Sequence, residues 1–466
     1  MLFSTPFFCF IFLPVFFAVF YLAPGKRGVL LAAGLTFYFW GEPVFCLVVA
    51  AASLLDWALG KWIDRSVGWR RQIPLVIGVA ANLGLLIITK YAFFAVSNLN
   101  FLLDLVSQPL LETPKIALPL GISFIVFEKI TYLVDIYRGN ARPASSLLDY
   151  FNYVFLFPKL LAGPIVKYHD IGEQLKRPYF STVDFREGMM RFIIGLGKKV
   201  LIADQIGVFA DRIFEVDPVN LDMGTAWLGL LAFGLQLYFD FSGYSDMAIG
   251  MARMMGFRLQ ENFNNPYLAC SISEFWKRWH ISLTSWIKEY LYIPLGGNRL
   301  PAWRVYLNLS ICFALSGLWH GASWTFVIWG ILHGAGMIAD RLLWYRVNSG
   351  IPMVLRWAGT NIFLLMSWSL FRVPDLASSL VYLGAAFGRR PEGGHAVFVT
   401  ADILFFLTVA LLIVFVPLIP RRTCAGLDSA ASGWRILRMA WCAVVLIISA
   451  AFMSIGNLQP FIYFNF

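Results

Sequence analysis

The sequence has few charged residues, and this scarcity excludes most soluble folds. Only 14% of its 466 residues are Asp, Glu, Lys or Arg, whereas 59% are hydrophobic and 17% are aromatic. Soluble domains carry about 25% charged residues to cover their surface, and the mean hydropathy here is +0.70. The 6 cysteines are scattered and form no CxxC pair. We therefore predict an integral membrane protein with neither a disulfide framework nor a metal site.

The motifs of several enzyme classes are also missing. The sequence contains no GxSxG elbow, no HExxH, no P-loop GxxxxGK[ST] and no GxGxxG after a strand. Each of these motifs carries one chemistry, so hydrolase, zinc-enzyme and nucleotide-binding functions lose support. Since no repeat with a period of roughly 20 to 50 residues is present, residues 1–466 are predicted to form a single domain.

Apolar runs long enough for a membrane recur from end to end. About 20 apolar residues span the hydrocarbon core, and the runs predict about eleven to thirteen membrane segments, some short enough to be re-entrant. The predicted fold is therefore all-α, a polytopic membrane helix bundle. The runs are 5–23, 28–41, 43–58, 74–89, 98–111, 116–136, 147–163, 188–203, 224–239, 305–319, 322–340, 353–371, 401–419 and 436–455.

The net charge of +10 does not point to nucleic acid, because Lys and Arg lie mostly in short loops between these runs. Cytoplasmic loops of membrane proteins carry such an excess. The basic clusters at 26–27, 61–71 and 138–142 share one side of the membrane if the run 98–111 only dips into it. The amino terminus is then periplasmic. The run 5–23 has no basic segment before it, so we expect it to stay as the first span.

The least apolar long stretch, 256–304, predicts an amphipathic helix over 272–291. Ser271 is its expected cap with Glu274 three residues on, and Glu274 pairs with Arg278 at i,i+4. Its charges forbid a lipid-facing span, so the helix lies in the interface or dips into the bundle. One side of it is expected to carry Phe275, Trp279, Ser282 and Trp286.

Three histidines in apolar or aromatic surroundings are the candidate catalytic groups, since ionisable side chains at membrane depth are costly and mark function. His320 ends a span that starts near Arg304, roughly 24 Å along it at about 1.5 Å per residue. There an imidazole can take the proton of an alcohol as the alcohol attacks a thioester. Three alternatives stay open: His320 as a packed side chain, His333 as a structural link between helices, and His280 as an interfacial group.

Two carboxylates at membrane depth leave a second class of function open. Asp240 and Asp246 lie in the apolar segment 236–250, and an ion-coupled transporter for a sugar-linked lipid also places carboxylates there. Such a transporter should show two related halves. No internal match of this kind is found.

Seven blocks resemble the membrane-bound O-acyltransferase family, and most closely its alginate O-acetyltransferase branch, in the family's order and over nearly the whole chain. A WHG tripeptide alone carries no weight, but seven ordered blocks are specific. They are MLFSTPFFCFIFLPVFF, LPLGISFIVFEKITYLVDIYRG (118–139), FPKLLAGPIVKY (157–168), YFDFSGYSDMAIG (238–250), ENFNNPY (261–267), SEFWKRWHISLTSWIKEYLYIPLGGNR (273–299) and GLWHGASWTFVIWGILHG (317–334).

The resemblance implies an active site and a path through the bundle. His320 matches the family's invariant catalytic histidine, and His280 matches the second position of the active-site pair, which many relatives fill with His or Asn. A central tunnel is implied, with the acyl donor arriving from the cytoplasm and the acceptor from outside. Residues expected to line the tunnel or contact substrate are Asp240, Ser242, Asp246 and His333.

The expected donor is acetyl-coenzyme A as a substrate, with no bound cofactor. Its negative charge would be attracted by a group of basic residues at the cytoplasmic mouth, although ordinary positive-inside charges are the alternative for them. This group is Lys277, Arg278, Lys288 and Arg299.

The expected acceptor is a hydroxyl of an exported polysaccharide such as alginate, and acyl or aminoacyl transfer to a cell-wall polymer is the alternative. The expected surroundings are the lipid bilayer of a bacterial inner membrane. A separate periplasmic acetyltransferase and the polysaccharide export machinery are the expected partners.

The carboxyl-terminal sequence QPFIYFNF is unusually aromatic. An aromatic belt at the membrane interface is one interpretation of Phe461, Tyr463, Phe464 and Phe466. The tail also resembles the F-x-Y-F ending of this family and of small partner proteins of its relatives. The resulting hypothesis is that Tyr463 accepts the acyl group, with His320 as base, and passes it to the periplasmic transferase.

Overall fold

The computed structural model describes residues 2–161, 163–176, 180–344, 350–389, 398–415, 432–456 and 459–465. Within these residues the regular structure is helical and contains no strand, which confirms the all-α prediction. The five cysteines in these ranges are free thiols.

The α-helices are α1 (Leu13–Leu22), α2 (Lys26–Gly41), α3 (Pro43–Arg65), α4 (Gln72–Leu86), α5 (Ala92–Leu105), α6 (Ile122–Arg138), α7 (Leu147–Val154), α8 (Phe157–Leu160), α9 (Tyr168–Lys176), α10 (Thr182–Gly197), α11 (Asp204–Phe214), α12 (Met223–Met254), α13 (Ile272–Arg278), α14 (Ile281–Ile287), α15 (Ala302–His320), α16 (Trp324–Ala339), α17 (Met353–Arg372), α18 (Leu376–Ala386), α19 (Ala401–Phe415) and α20 (Ser432–Ile455). Short 3₁₀ turns are Gly68–Arg71, Pro218–Asn220, Pro266–Leu268 and Ile462–Asn465. Turns of π-helix are Phe8–Phe12, Ile87–Tyr91, Lys198–Ala203, Lys288–Tyr292 and Asp340–Trp344.

Apolar helices identify the chain as a membrane protein. Among the described residues, 3 helices are long and apolar enough to cross a membrane by length and composition: Pro43–Arg65, Gly68–Leu105 and Gly433–Ile455. Shorter apolar helices are Phe8–Leu22, Leu376–Ala386 and Ala401–Phe415. The other predicted runs do not form described helices that are both long and apolar enough to meet these measures. The count of eleven to thirteen segments therefore stays a prediction.

Two predicted segments differ from the structure. Residues 98–105 are not a separate dip into the membrane, because a π-turn joins α4 to α5 within one 38-residue helix. Such a helix is about 57 Å long, against a hydrocarbon core of about 30 Å. The run 147–163 is not a span either, since α7 and α8 are short helices with a break between them. Arg71 donates to the Ile136 carbonyl at 2.9 Å and Arg27 pairs with Asp149 at 2.9 Å. The side of the membrane on which the basic clusters lie stays a prediction.

Contacts among Cα atoms divide the chain into two compact units. Unit 1 contains residues 1–189 and 248–260, and unit 2 contains residues 190–247 and 261–466. The described part of unit 1 buries two ion pairs: Lys129 lies 3.2 Å from Asp56, and Lys159 contacts Glu128. The single domain over 1–466 stays a prediction.

In unit 2, glycines bring α15 and α16 into backbone contact. A Cβ atom on Gly317 would lie 2.1 Å from the carbonyl oxygen of Phe326, and one on Gly330 would lie 2.2 Å from that of Phe313. Small residues permit such close helix packing in membranes. The end of α15, where His320 lies, is therefore fixed against α16.

Candidate active site

The predicted helix over 272–291 is interrupted at His280. α13 ends at Arg278 and α14 begins at Ile281, and between them His280 is left-handed, with φ +42° and ψ +53°. A non-glycine residue rarely adopts this conformation unless its surroundings hold it there. The predicted start of the helix is confirmed, because the Ser271 hydroxyl accepts the Glu274 N–H at 3.0 Å.

Backbone hydrogen bonds from a neighbouring segment hold this break. The Asn264 N–H donates to the Arg278 carbonyl at 2.8 Å, and the Ile281 N–H donates to the Asn262 carbonyl at 2.9 Å. The two bonds flank His280. The left-handed turn is thus imposed by residues 262–264 rather than by the sequence of the helix itself.

The side chain of Asn262 also determines which ring nitrogen of His280 carries a hydrogen. Asn262 Oδ1 lies 3.1 Å from His280 Nδ1 and accepts the Ser282 hydroxyl at 2.9 Å, while Asn262 Nδ2 donates to Ser245 at 3.1 Å. Because a carboxamide oxygen only accepts, Nδ1 of His280 donates to it. The lone pair of a neutral His280 is therefore on Nε2.

His320 lies at the end of α15, as predicted, and only 4% of it is exposed. Aromatic rings surround its imidazole on several sides. The ring centroids of Trp319, Trp329, Phe371 and Tyr463 lie 5.0, 5.2, 5.2 and 5.6 Å from that of His320.

A closed circuit of rings joins the two histidines. Between ring centroids, Phe241 lies 4.7 Å from His280 and 4.6 Å from Tyr463, and Tyr463 lies 5.6 Å from His320. Trp319 completes the circuit, at 5.0 Å from His320 and 6.2 Å from His280. The polar atoms of these five side chains are the ring nitrogens of the two histidines, the hydroxyl of Tyr463 and the indole N–H of Trp319. The rest of their surface is aromatic carbon. We call them the aromatic circuit.

The carboxyl-terminal tail lies within unit 2. Phe461 and Ile462 are buried, whereas Tyr463 is partly exposed. The ring of Phe461 packs against Tyr244 at 4.5 Å and Phe241 at 5.7 Å. An interfacial belt therefore does not describe Phe461. The side chains of Phe464 and Phe466 lie outside the described residues.

Comparison with known proteins identifies the family. Residues 32–382 match MBOAT, the membrane-bound O-acyltransferase family. The chain belongs to this family. It is 37% identical to the probable alginate O-acetylase AlgI of Pseudomonas putida, with 100% of both chains covered. It is 42% identical to the probable alginate O-acetylase AlgI of Azotobacter vinelandii, over 81% of this chain and 76% of the relative. It is 37% identical to the peptidoglycan O-acetyltransferase of Helicobacter pylori, over 83% of this chain and 80% of the relative.

The protein is therefore a membrane acyltransferase, and the transporter alternative falls away. Its aromatic circuit brings together the two histidines and the tyrosine that the sequence singles out. Their chemical roles remain proposals.

Both ring nitrogens of His333 form hydrogen bonds to side chains of neighbouring helices. The Trp276 indole N–H donates to its Nδ1 at 3.2 Å, so its Nε2 carries the hydrogen and donates to the Ser367 hydroxyl at 3.1 Å. Both ring nitrogens thus link helices, α13 through Trp276 and α17 through Ser367. This geometry favours the structural alternative for His333.

The predicted tunnel carboxylates have different surroundings. Asp240 is 1% exposed and lies 2.8 Å from Lys199. The side chain of Asp246 is 15% exposed and lies 2.6 Å from Lys198 and 2.8 Å from Arg191. Ser242 is buried on the same helix.

The predicted donor-binding residues are mostly exposed. Lys277, Lys288 and Arg299 are exposed, whereas Arg278 forms the predicted i,i+4 pair with Glu274 at 2.7 Å. Three of the four cations therefore lie at the surface of unit 2. This exposure fits an anionic ligand and ordinary positive-inside charges equally well, so donor binding stays a prediction.

Sequence reasoning missed Asn262 and Lys199. Asn262 had no signal beyond its place in a family block. Lys199 had one, because it lies inside the apolar run 188–203, where a charged residue is costly and marks function.

Proposed function

We propose that the protein transfers an acetyl group from acetyl-coenzyme A, on the cytoplasmic side of a bacterial inner membrane, through a central tunnel to hydroxyls of an exported polysaccharide. The relatives named for O-acetylation of alginate and peptidoglycan support this acceptor class. Alginate is the first candidate, because the match to an alginate relative covers both chains completely. The amino terminus would be periplasmic, which would place the basic clusters at 26–27, 61–71 and 138–142 on the cytoplasmic side.

The observation that carries the proposal is the contact between Tyr463 and His320. His320 would accept the phenolic proton as the oxygen of Tyr463 attacks the thioester carbonyl. The C–S bond breaks, and the departing thiolate takes the proton from His320. In the second step an acceptor hydroxyl attacks the carbonyl carbon of the tyrosyl ester, and the bond between that carbon and the Tyr463 oxygen breaks. The departing phenolate takes the proton that the acceptor hydroxyl loses.

His280 would position the reacting groups. Since its Nδ1–H is held by Asn262, a neutral His280 offers an acceptor at Nε2 and binds a hydroxyl rather than an oxyanion. The exposed Lys277, Lys288 and Arg299 would attract the phosphates of the donor. A periplasmic acetyltransferase and the export machinery would take the acyl group onward.

Tyr463→Phe tests the relay, because it keeps the ring of the aromatic circuit and removes only the nucleophile. We expect loss of polymer acetylation with normal membrane insertion, measured by mass analysis of the exopolysaccharide. Tyr382→Phe is the matched control, since it also removes a tyrosine hydroxyl in unit 2 but leaves the aromatic circuit unchanged. Wild-type acetylation by Tyr463→Phe would reduce Tyr463 to a packing role.

His320→Ala tests the base. Losing a positioned general base costs roughly 10²–10⁴-fold in rate, so we expect acetylation to fall by that factor while the protein still inserts and purifies. Normal polymer acetylation in this variant would remove His320 from the mechanism.

A further inference from the structure

A buried ion cluster in unit 2 contacts the backbone of the tail. Lys199 Nζ lies 2.7 Å from Asp204 Oδ1 and 2.8 Å from Asp240 Oδ1, with side chains only 1–2% exposed. The Ile462 N–H donates to Asp240 Oδ2 at 2.7 Å. Asp240, one of the two carboxylates of the cluster, therefore contacts the tail.

The charges of this cluster explain why the tail is needed. If both aspartates are ionised, one lysine and two aspartates carry one excess negative charge in a buried place, which is costly unless hydrogen bonds satisfy it. The Ile462 N–H supplies a donor to one of the two carboxylates, that of Asp240. The tail therefore stabilises the buried cluster by donating a hydrogen bond, and the cluster holds the tail in place.

We infer that Lys199, Asp204 and Asp240 form a latch that holds residues 459–463 so that Tyr463 lies against His320. The inference rests on the proposed relay for its purpose. Asp240 anchors the residue before Tyr463, and its own neighbour Phe241 contacts the Tyr463 ring. One turn of α12 thus fixes both the backbone and the ring of the nucleophile. Asp240 is a positioning residue in this assignment.

Ile462→Pro tests the latch without altering the cluster. Proline removes the N–H that Asp240 accepts, and it is tolerated at the first position of a helical turn, where residue 462 lies. Ile462→Ala is the matched control, because it keeps the N–H. Hydrogen–deuterium exchange of the remaining amides of 459–463 is measured on the full chain in lipid nanodiscs.

We expect exchange about 10- to 100-fold faster in Ile462→Pro, the ratio for losing one hydrogen bond to a charged group. Exchange in Ile462→Ala should stay near wild type. The kcat for acetylation should fall in the proline variant with the donor KM unchanged, since a misplaced nucleophile does not weaken donor binding. Asp240→Asn keeps an acceptor and should protect the tail better than Asp240→Leu.

Three outcomes decide the inference. A tail that stays protected in both Ile462→Pro and Asp240→Leu overturns the latch. Equally fast exchange in Asp246→Asn, which breaks the neighbouring ion pair with Lys198, also overturns it, because the effect would then be general loosening. Fast exchange with wild-type acetylation supports the latch and refutes the relay.

Discussion

Substitution of His280 separates the shape of its backbone from the chemistry of its imidazole. The residue is fully buried and has φ +42°. Left-handed backbone costs most L-residues about 1–2 kcal/mol, whereas Asn tolerates it readily. Truncating a large buried side chain to Ala costs about 2–5 kcal/mol, including the cavity. His280→Ala therefore incurs the full truncation cost in a conformation that Ala disfavours, whereas His280→Asn loses less volume and suits the turn.

We expect the free energy of unfolding to fall by about 2–5 kcal/mol in His280→Ala and by less in His280→Asn. Loss of a general base lowers the rate by at least roughly 10²-fold. If His280 only positions the reacting groups, His280→Asn should lower the acetylation rate by less than that. Thermal unfolding in detergent and polymer acetylation measure the two effects. Asn265→Ala is the control for backbone strain alone, because Asn265 is also left-handed, at φ +46°.

One result would refute this reasoning. If His280→Asn is as stable as wild type and yet as inactive as His280→Ala, shape and packing do not explain the loss. His280 would then transfer a proton directly.

Two further predictions concern donor binding and helix packing. Lys277→Gln combined with Arg278→Gln should raise the donor KM at unchanged kcat, and an unchanged KM would identify both as ordinary positive-inside charges. Gly317→Val should abolish acetylation by forcing α15 away from α16, since its Cβ would meet a carbonyl oxygen at 2.1 Å. Gly359→Val, where a Cβ meets nothing within 4 Å, should be nearly silent, and equal damage by both valines in an acetylation assay would contradict this account.

The sequence predicts those parts of the site that depend on local pattern. The apolar run from Arg304 and the glycine after His320 are enough to end α15 at that histidine. The cap at Ser271 is likewise local. The break at His280 is not, because neither Gly nor Pro marks it and its hydrogen bonds come from Asn262 and Asn264, a separate segment of the chain.

The latch shows the same limit for charged residues. Lys199 inside an apolar run signals a function, but its partners cannot be derived from spacing. Asp204 lies five residues away across a π-turn, and Asp240 lies on a different helix. Only the fold brings the three together.

The two carboxylates of α12 show how burial assigns different roles to similar residues. Asp240 and Asp246 stand six positions apart in one apolar segment, and sequence alone treats both as tunnel residues. Asp240 is buried with Lys199 and bonds the tail, whereas Asp246 is more exposed and faces Lys198 and Arg191. Charge removal at Asp240 should therefore alter the position of Tyr463. Charge removal at Asp246 should alter only the outer ion pairs, because no tail atom bonds to it within the described residues.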